Sequence, residues 1–168
     1  MNNQLVVYYS LDGNTKFIAE QIQEELKCNI LQLKPIKDLK SDSMKLAKYF
    51  WGGKQIFTNE SPELMPYKVN LTKYDTLFIG TPIWAGNFAP AIKTFIKDNK
   101  IENKNIYLFC CHGGGGVGKS VKEYEKFLGG NNKIISTIDF KDPLKNSLDI
   151  NKRKVIKWIE DIKVNKEK

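Results

Sequence analysis

Three short stretches of the chain combine residue types and spacings that can hold or transform a ligand. The longest is Cys110-Cys111-His112-Gly113-Gly114-Gly115-Gly116-Val117-Gly118-Lys119-Ser120. Its Gly-x-x-x-x-Gly-Lys-Ser spacing is formally that of a nucleotide-phosphate loop, in which backbone N–H groups cradle phosphates, the lysine reaches the terminal phosphates and the serine holds magnesium. Its His-Gly-Gly-Gly start equally copies the oxyanion loop of an esterase. Read simply as a glycine turn after a buried strand, Cys111, His112, Gly113, Gly114, Gly115, Gly116 and Gly118 offer a bare backbone that can approach a flat ring edge and donate N–H groups to it.

The second stretch, Ser10-Leu11-Asp12-Gly13-Asn14-Thr15, puts two hydroxyls, an amide and the free backbone donors of a starting helix in one turn, a natural anion site. The same residues also suit a plain surface turn that caps the helix. The third, Thr81-Pro82-Ile83-Trp84-Ala85-Gly86-Asn87, sets an indole just past a strand end between proline and glycine. Such a ring is either a stacking platform for a flat ligand or part of the core. Gly86 is the position able to let a backbone carbonyl rotate beside a bound ring.

Two of the readings of the first stretch lack their partners. An esterase needs a nucleophile elbow, which is absent, and a histidine elsewhere, whereas His112 is the only histidine and sits inside the loop. A phosphate-loop hydrolase needs a later acidic strand end for its metal. Ile134-Ile135-Ser136-Thr137-Ile138-Asp139 mimics one, but such domains build onward from the motif, and here only one more strand and helix follow. Lys119 and Ser120 read better as the start of a helix.

The elements that must position these loops alternate along the chain. Leu5–Tyr9 is a continuous apolar run of the kind found in a strand buried on both faces, and Ile18, Ile22 and Leu26 recur at helical spacing after it. Asn29–Lys34 reads as a weaker edge strand closed by Pro35. Leu46, Ala47 and Phe50 predict a helix over Ser43–Phe50, with Tyr49, Phe50, Trp51 and Phe57 as packing aromatics. Thr76–Ile79 predicts a strand that breaks at Gly80. A helix begins at Pro90 with Ile92, Phe95 and Ile96 as its face. Ile106–Cys111 is a strand, followed by a helical stripe of Val117, Val121, Tyr124 and Leu128. Ile134–Ile138 is a fifth strand, and Val155, Ile159 and Ile162, with Ile156 and Trp158 beside them, make the last helix. Strand–helix alternation implies an α/β fold, a parallel sheet with helices on both faces. Ligands of such sheets bind at the carboxyl ends of the strands, where strand order reverses. All three loops open on that edge.

Composition narrows the function classes. At 168 residues one domain over 1–168 is expected. The start, Met1-Asn2-Asn3-Gln4, shows no charged and then apolar leader, and no apolar run approaches the ~20 residues of a membrane span. The expectation is a soluble cytoplasmic protein with no membrane partner. Three cysteines without a paired framework suit a reducing compartment, as small buried filler. The net charge is +8, but 27 basic residues include a single arginine, Arg153, and the lysines are spread over every segment. That argues against a nucleic-acid surface.

Tyr8-Tyr9-Ser10-Leu11-Asp12-Gly13-Asn14-Thr15-Lys16 resembles the phosphate-loop signature of flavodoxins, [ST]-x-x-G-N-T after the first strand. Gly80-Thr81-Pro82-Ile83-Trp84, followed by Ala89-Pro90 and Phe95, is similar to their second flavin loop, and Phe109-Cys110-Cys111-His112 with its glycines stands in the place of the third. The resemblance covers nearly the whole chain. It implies a flavodoxin-like three-layer sandwich with a five-stranded parallel sheet of order 2-1-3-4-5. It also implies one non-covalent FMN without metal, held by residues 10–15, 81–87, 111–116 and 118. The implied role is a low-potential electron-transfer protein that passes electrons to redox protein partners and is expected as a monomer. The alternative is an FMN-dependent NAD(P)H reductase of quinones or similar acceptors. Typical flavodoxins place a second aromatic ring in the third loop, where this chain offers only His112. They are also commonly acidic, whereas this chain is basic.

Overall fold

The computed structural model describes residues 3–38 and 61–166. The helix expected over Ser43–Phe50 and the aromatics Tyr49, Phe50, Trp51 and Phe57 lie outside them. The elements are β1 (Gln4–Tyr8), α1 (Asn14–Leu26), β2 (Asn29–Gln32), a 3₁₀ turn at Leu71–Lys73, β3 (Thr76–Trp84), β4 (Asn87–Phe88), α2 (Pro90–Asn99), β5 (Asn105–His112), α3 (Ser120–Leu128), β6 (Lys133–Lys141) and α4 (Leu148–Lys166).

Five strands pair in parallel in the order β2-β1-β3-β5-β6, and β4 folds back antiparallel on the end of β3. With that short return strand left aside, this is the expected order 2-1-3-4-5. β1 lies inside the sheet, so both its faces are covered and its apolar run is continuous. One face packs α2 and α3 through Phe88, Ile92, Phe95, Tyr124 and Leu128. The other packs α1 and α4 through Ile18, Ile22, Val155, Trp158 and Ile159. Ile156, expected beside that stripe, is 36% exposed. Cys110 and Cys111 are adjacent on β5, so their side chains leave opposite faces of the strand. All three cysteines are free and buried.

The third strand corrects the sequence expectation. It does not break at Gly80 but runs nine residues to Trp84. A Cβ on Gly80 would lie 2.1 Å from the Phe109 ring, so glycine there admits a neighbouring aromatic rather than ending the strand. Pro82 is still in register with Cys111 of β5. The β1 ladder has already ended at Tyr8–Gly80, so a missing donor at Pro82 leaves no β1 partner unpaired. Similarly, β6 continues three residues past Ile138 to Lys141, and Val117 precedes α3 rather than lying within it.

Candidate functional site

The chain departs from β1 in one direction to β2 and in the other to β3, so the strand order reverses beside β1. The carboxyl ends of the strands there enclose a cleft of about 290 Å³, at the lower bound usual for small-molecule sites. Leu11, Asp12 and Asn14 line it from the first loop, Pro82, Ile83 and Trp84 from the second, and Cys111, His112 and Gly113 from the third.

In the first loop, Gly13 takes the N-cap position of α1 at φ 89°, and no side chain caps the helix. The capping role open to Asn14 in the sequence is not the one it fills. Its amide donates to Asp12 Oδ1 at 3.2 Å, and its oxygen accepts the Leu144 N–H at 3.1 Å. Ser10 Oγ and Thr15 Oγ1 are buried with no hydrogen-bond partner among the described residues. A buried hydroxyl left unpaired costs about 1–3 kcal/mol, and these two, one in the loop and one in the first turn of an uncapped helix, are donors suited to an anion at that helix start. Ser10 and Thr15 do not themselves line the cleft but flank Leu11, Asp12 and Asn14, which do, whereas Tyr124, whose Oη is unpaired too, is packed against Phe88 in the core.

In the second loop, Ala85 at φ 48° and Gly86 at φ 77° form a two-residue turn that joins β3 to β4. Both positive angles are what a tight hairpin of this twist requires. Trp84 meets Tyr9 edge-on, with centroids 5.8 Å apart at 89°. The Tyr9 hydroxyl in turn donates to Asp38 at 2.6 Å. Burial, with the Asp38 carboxylate beside it, raises the Tyr9 phenol far above its ordinary range. Behind the turn, Thr81 Oγ1 accepts the Ala89 N–H at 2.9 Å and Phe88 stacks on Tyr124 at 4.0 Å. Asn87 donates to the Ala85 carbonyl at 3.1 Å. Thr81 is thus buried structure behind the cleft, and Ala85, Gly86 and Asn87 form its neighbouring hairpin.

The third loop binds mostly to its own surroundings. The Gly114 N–H donates to His112 Nδ1 at 3.1 Å, so the ring proton lies on Nε2, which faces Asp139 Oδ2 at 2.8 Å. These two bonds fix the His112 ring. The Lys119 N–H donates to the Gly86 carbonyl at 3.1 Å. A Cβ on Gly118 would stand 2.9 Å from Gly86 Cα. Ser120 is fully buried and its hydroxyl donates to the Val117 carbonyl. A nucleotide-phosphate loop needs that hydroxyl and those amides for phosphate and magnesium, and here they close the second and third loops on each other. Gly115 and Gly116 face open space. Cys111 floors the cleft as a protonated thiol, because burial pushes it up to about 12. No cluster of three metal-ligating side chains occurs among the described residues, and no described helix is long and apolar enough to cross a membrane.

A fourth loop, not foreseen from the sequence, completes the cleft. Asp142 and Lys145 line it from the turn between β6 and α4. The Asp142 N–H donates to the His112 carbonyl at 2.9 Å. The signal in the sequence was Asp142-Pro143 after an apolar strand, since every parallel strand of such a sheet delivers its following loop to the same edge.

A doubly wound sheet with a ligand cleft at its switch point defines the class. The chain belongs to the flavodoxin family, whose profile matches residues 3–162. A flavoprotein from Lactobacillus acidophilus NCFM, solved in complex with FMN, is 26% identical, with 86% of this chain and 97% of that one covered and a TM-score of 0.69. The Fusobacterium nucleatum flavodoxin bound to flavin mononucleotide is 14% identical over 98% of this chain and 99% of that one, with a TM-score of 0.54. An NADH:FMN oxidoreductase in its apo form is 13% identical over 96% and 89%, with a TM-score of 0.57. No curated protein matches the chain.

Proposed function

We propose that the protein binds one FMN and serves as a one-electron carrier between redox proteins. The observation that carries the reading is the pair of buried, unpartnered hydroxyls, Ser10 Oγ in the first loop and Thr15 Oγ1 in the uncapped first turn of α1, which flank the first-loop residues that line the cleft with Trp84. Those donors fit a phosphate monoester, and the flat indole of Trp84 fits a ring system. Gly113, which lines the cleft and carries no side chain, lets the ring's polar edge approach the backbone. The flavin, when bound, supplies the redox chemistry. Around it the chain's own groups do three things. Ser10 and Thr15 donate to the phosphate, the Tyr9–Asp38 pair props Trp84, and the protonated Cys111 thiol gives the cleft an uncharged floor. Supporting FMN in particular are the family match and the FMN complex of the Lactobacillus acidophilus relative. The net charge of +8 suits a redox partner with an acidic face.

A second reading, an NAD(P)H-dependent FMN reductase, draws on one observation. Trp84 is the only Trp, Tyr or Phe among the described residues lining the cleft, which leaves room for a nicotinamide over the other ring face. Anaerobic mixing separates the two. A carrier stays oxidised with NADH or NADPH over the minutes in which dithionite reduces it. Rapid bleaching by a nicotinamide, with repeated turnover on a quinone, would establish the reductase.

A further inference from the structure

The two outer strands of the sheet differ in length. β2 has four residues, whereas β6 has nine, Lys133–Lys141. A long edge strand is a template on which another chain can pair, because its outward N–H and C=O groups lie beyond the ladder. β6 also carries the branched residues that favour pairing, Ile134, Ile135, Thr137 and Ile138.

The edge of β6 is blunted in two ways. Near its start a bulge shifts the register against β5 between Ile106 and Tyr107, with Ile135 as the extra residue, and a bulge spoils an edge for pairing. From Ser136 onward the register is regular. Just past the strand, the Asp142 N–H turns in to the His112 carbonyl of β5. The period of two therefore turns the main-chain groups of Lys141, Asp139 and Thr137 outward. Side chains from further along the chain take two of these carbonyls. Lys154 Nζ on α4 donates to the Asp139 carbonyl at 2.5 Å, and Asn146 Nδ2 donates to the Lys141 carbonyl at 2.5 Å. The Lys154 ammonium also lies 4.9 Å from the centroid of the Phe140 ring, so two contacts hold it against the edge.

We propose that Lys154 guards this edge: its ammonium closes the regular half of β6 to a second copy of the chain, which would otherwise pair there, β6 to β6. A copy fits because a two-fold axis sets the same row of donors and acceptors against itself. To pair, each copy has to lift a lysine from its Asp139 carbonyl, and two ammonium groups are brought together at the new ladder. The guard acts at the sheet edge, whatever the cleft binds.

The test is size-exclusion chromatography with light scattering over a wide range of protein concentration. The parent is expected to run as a monomer. Lys154→Ala is expected to self-associate at least about tenfold more tightly, since the free monomer loses a hydrogen bond from a charged donor. Lys154→Arg is expected to match the parent. Lys157→Ala removes the same charge from another exposed position of α4 and is expected to change nothing, which separates the edge from net charge. Adding Thr137→Pro to Lys154→Ala removes an outward N–H, a change an edge strand tolerates, and is expected to restore the monomer. Circular dichroism checks that each variant keeps the fold. Amide exchange at Thr137, slowed in Lys154→Ala as concentration rises, reports the same pairing without the proline. A Lys154→Ala protein no more associated than the parent would overturn the proposal. So would association that survives Thr137→Pro, that appears equally in Lys157→Ala, or that leaves exchange at Thr137 unchanged.

Discussion

The first and third loops are both glycine-bearing turns from a buried strand into a helix, yet they use their donors in opposite ways. In the third, the amides of Gly114 and Lys119 and the hydroxyl of Ser120 all find acceptors within the protein. In the first, two buried hydroxyls have no partner among the described residues, and no side chain caps the helix. The loop that spells a phosphate motif is therefore internal scaffolding, and the less distinctive one has the free donors. A phosphate site is recognised by what it leaves unsatisfied, more than by its count of glycines.

The comparison predicts that damage to the first loop reduces affinity while damage to the third reduces stability. The largest effect is expected from Ser10→Ala with Thr15→Ala. Each lost hydrogen bond to a charged group is worth about 1.5–3 kcal/mol, so FMN binding should fall by roughly a hundredfold or more, with riboflavin little changed. Flavin-free stability should hold or rise, because two unpaired buried hydroxyls are removed. A urea titration beside the binding assay checks both signs, and a fall in stability without loss of FMN would reverse the roles of the loops.

Gly118→Ala should come next, destabilising the protein by about 2 kcal/mol. It forces a side chain into a left-handed position at φ 53° and against the backbone of Gly86. FMN and riboflavin should then weaken together, since the hairpin that follows Trp84 shifts. Calorimetric melting and the two titrations would show it, and selective loss of FMN would contradict it.

The floor between the two loops gives a pH test. Burial raises Cys111 from 9.0 to about 12, and burial, with Glu20 adding to it, raises Tyr8 from 10.0 to about 12. Both groups bind their protons more tightly folded than unfolded. Their contribution is complete below about pH 9 and is lost as pH rises toward 12. The urea midpoint should be flat from pH 7 to 8.5 and fall steadily above 9, and a midpoint that rises across that window would contradict these environments. The smallest effect is expected from Lys119→Ala, whose backbone N–H remains on Gly86. Stability and FMN affinity should change by less than about 0.5 kcal/mol, and a large loss of either would restore a phosphate role to the third loop.

Much of this architecture is readable in the apolar runs, because a sheet covered on both faces writes its strands as unbroken stretches such as Leu5–Tyr9 and Ile106–Cys111. Gly80 and Pro82 misled as breakers, since their reasons lie across the sheet, in the Phe109 ring and in the end of the β1 ladder. The three expected loops do meet at one edge, as strand polarity requires. Burial of Ser10 and Thr15 was not readable, because it depends on packing far along the chain. The same holds for the fourth loop, whose Leu144 reaches Asn14 across 130 residues.

The central claim, a cleft built for a flavin carrying one phosphate, is tested most directly by calorimetric titration of the flavin-free protein with FMN, riboflavin and ATP in parallel. The account predicts one FMN per chain, riboflavin weaker by about a hundredfold or more, and no heat from ATP. FMN and riboflavin binding alike, or ATP binding in competition with FMN, would contradict it.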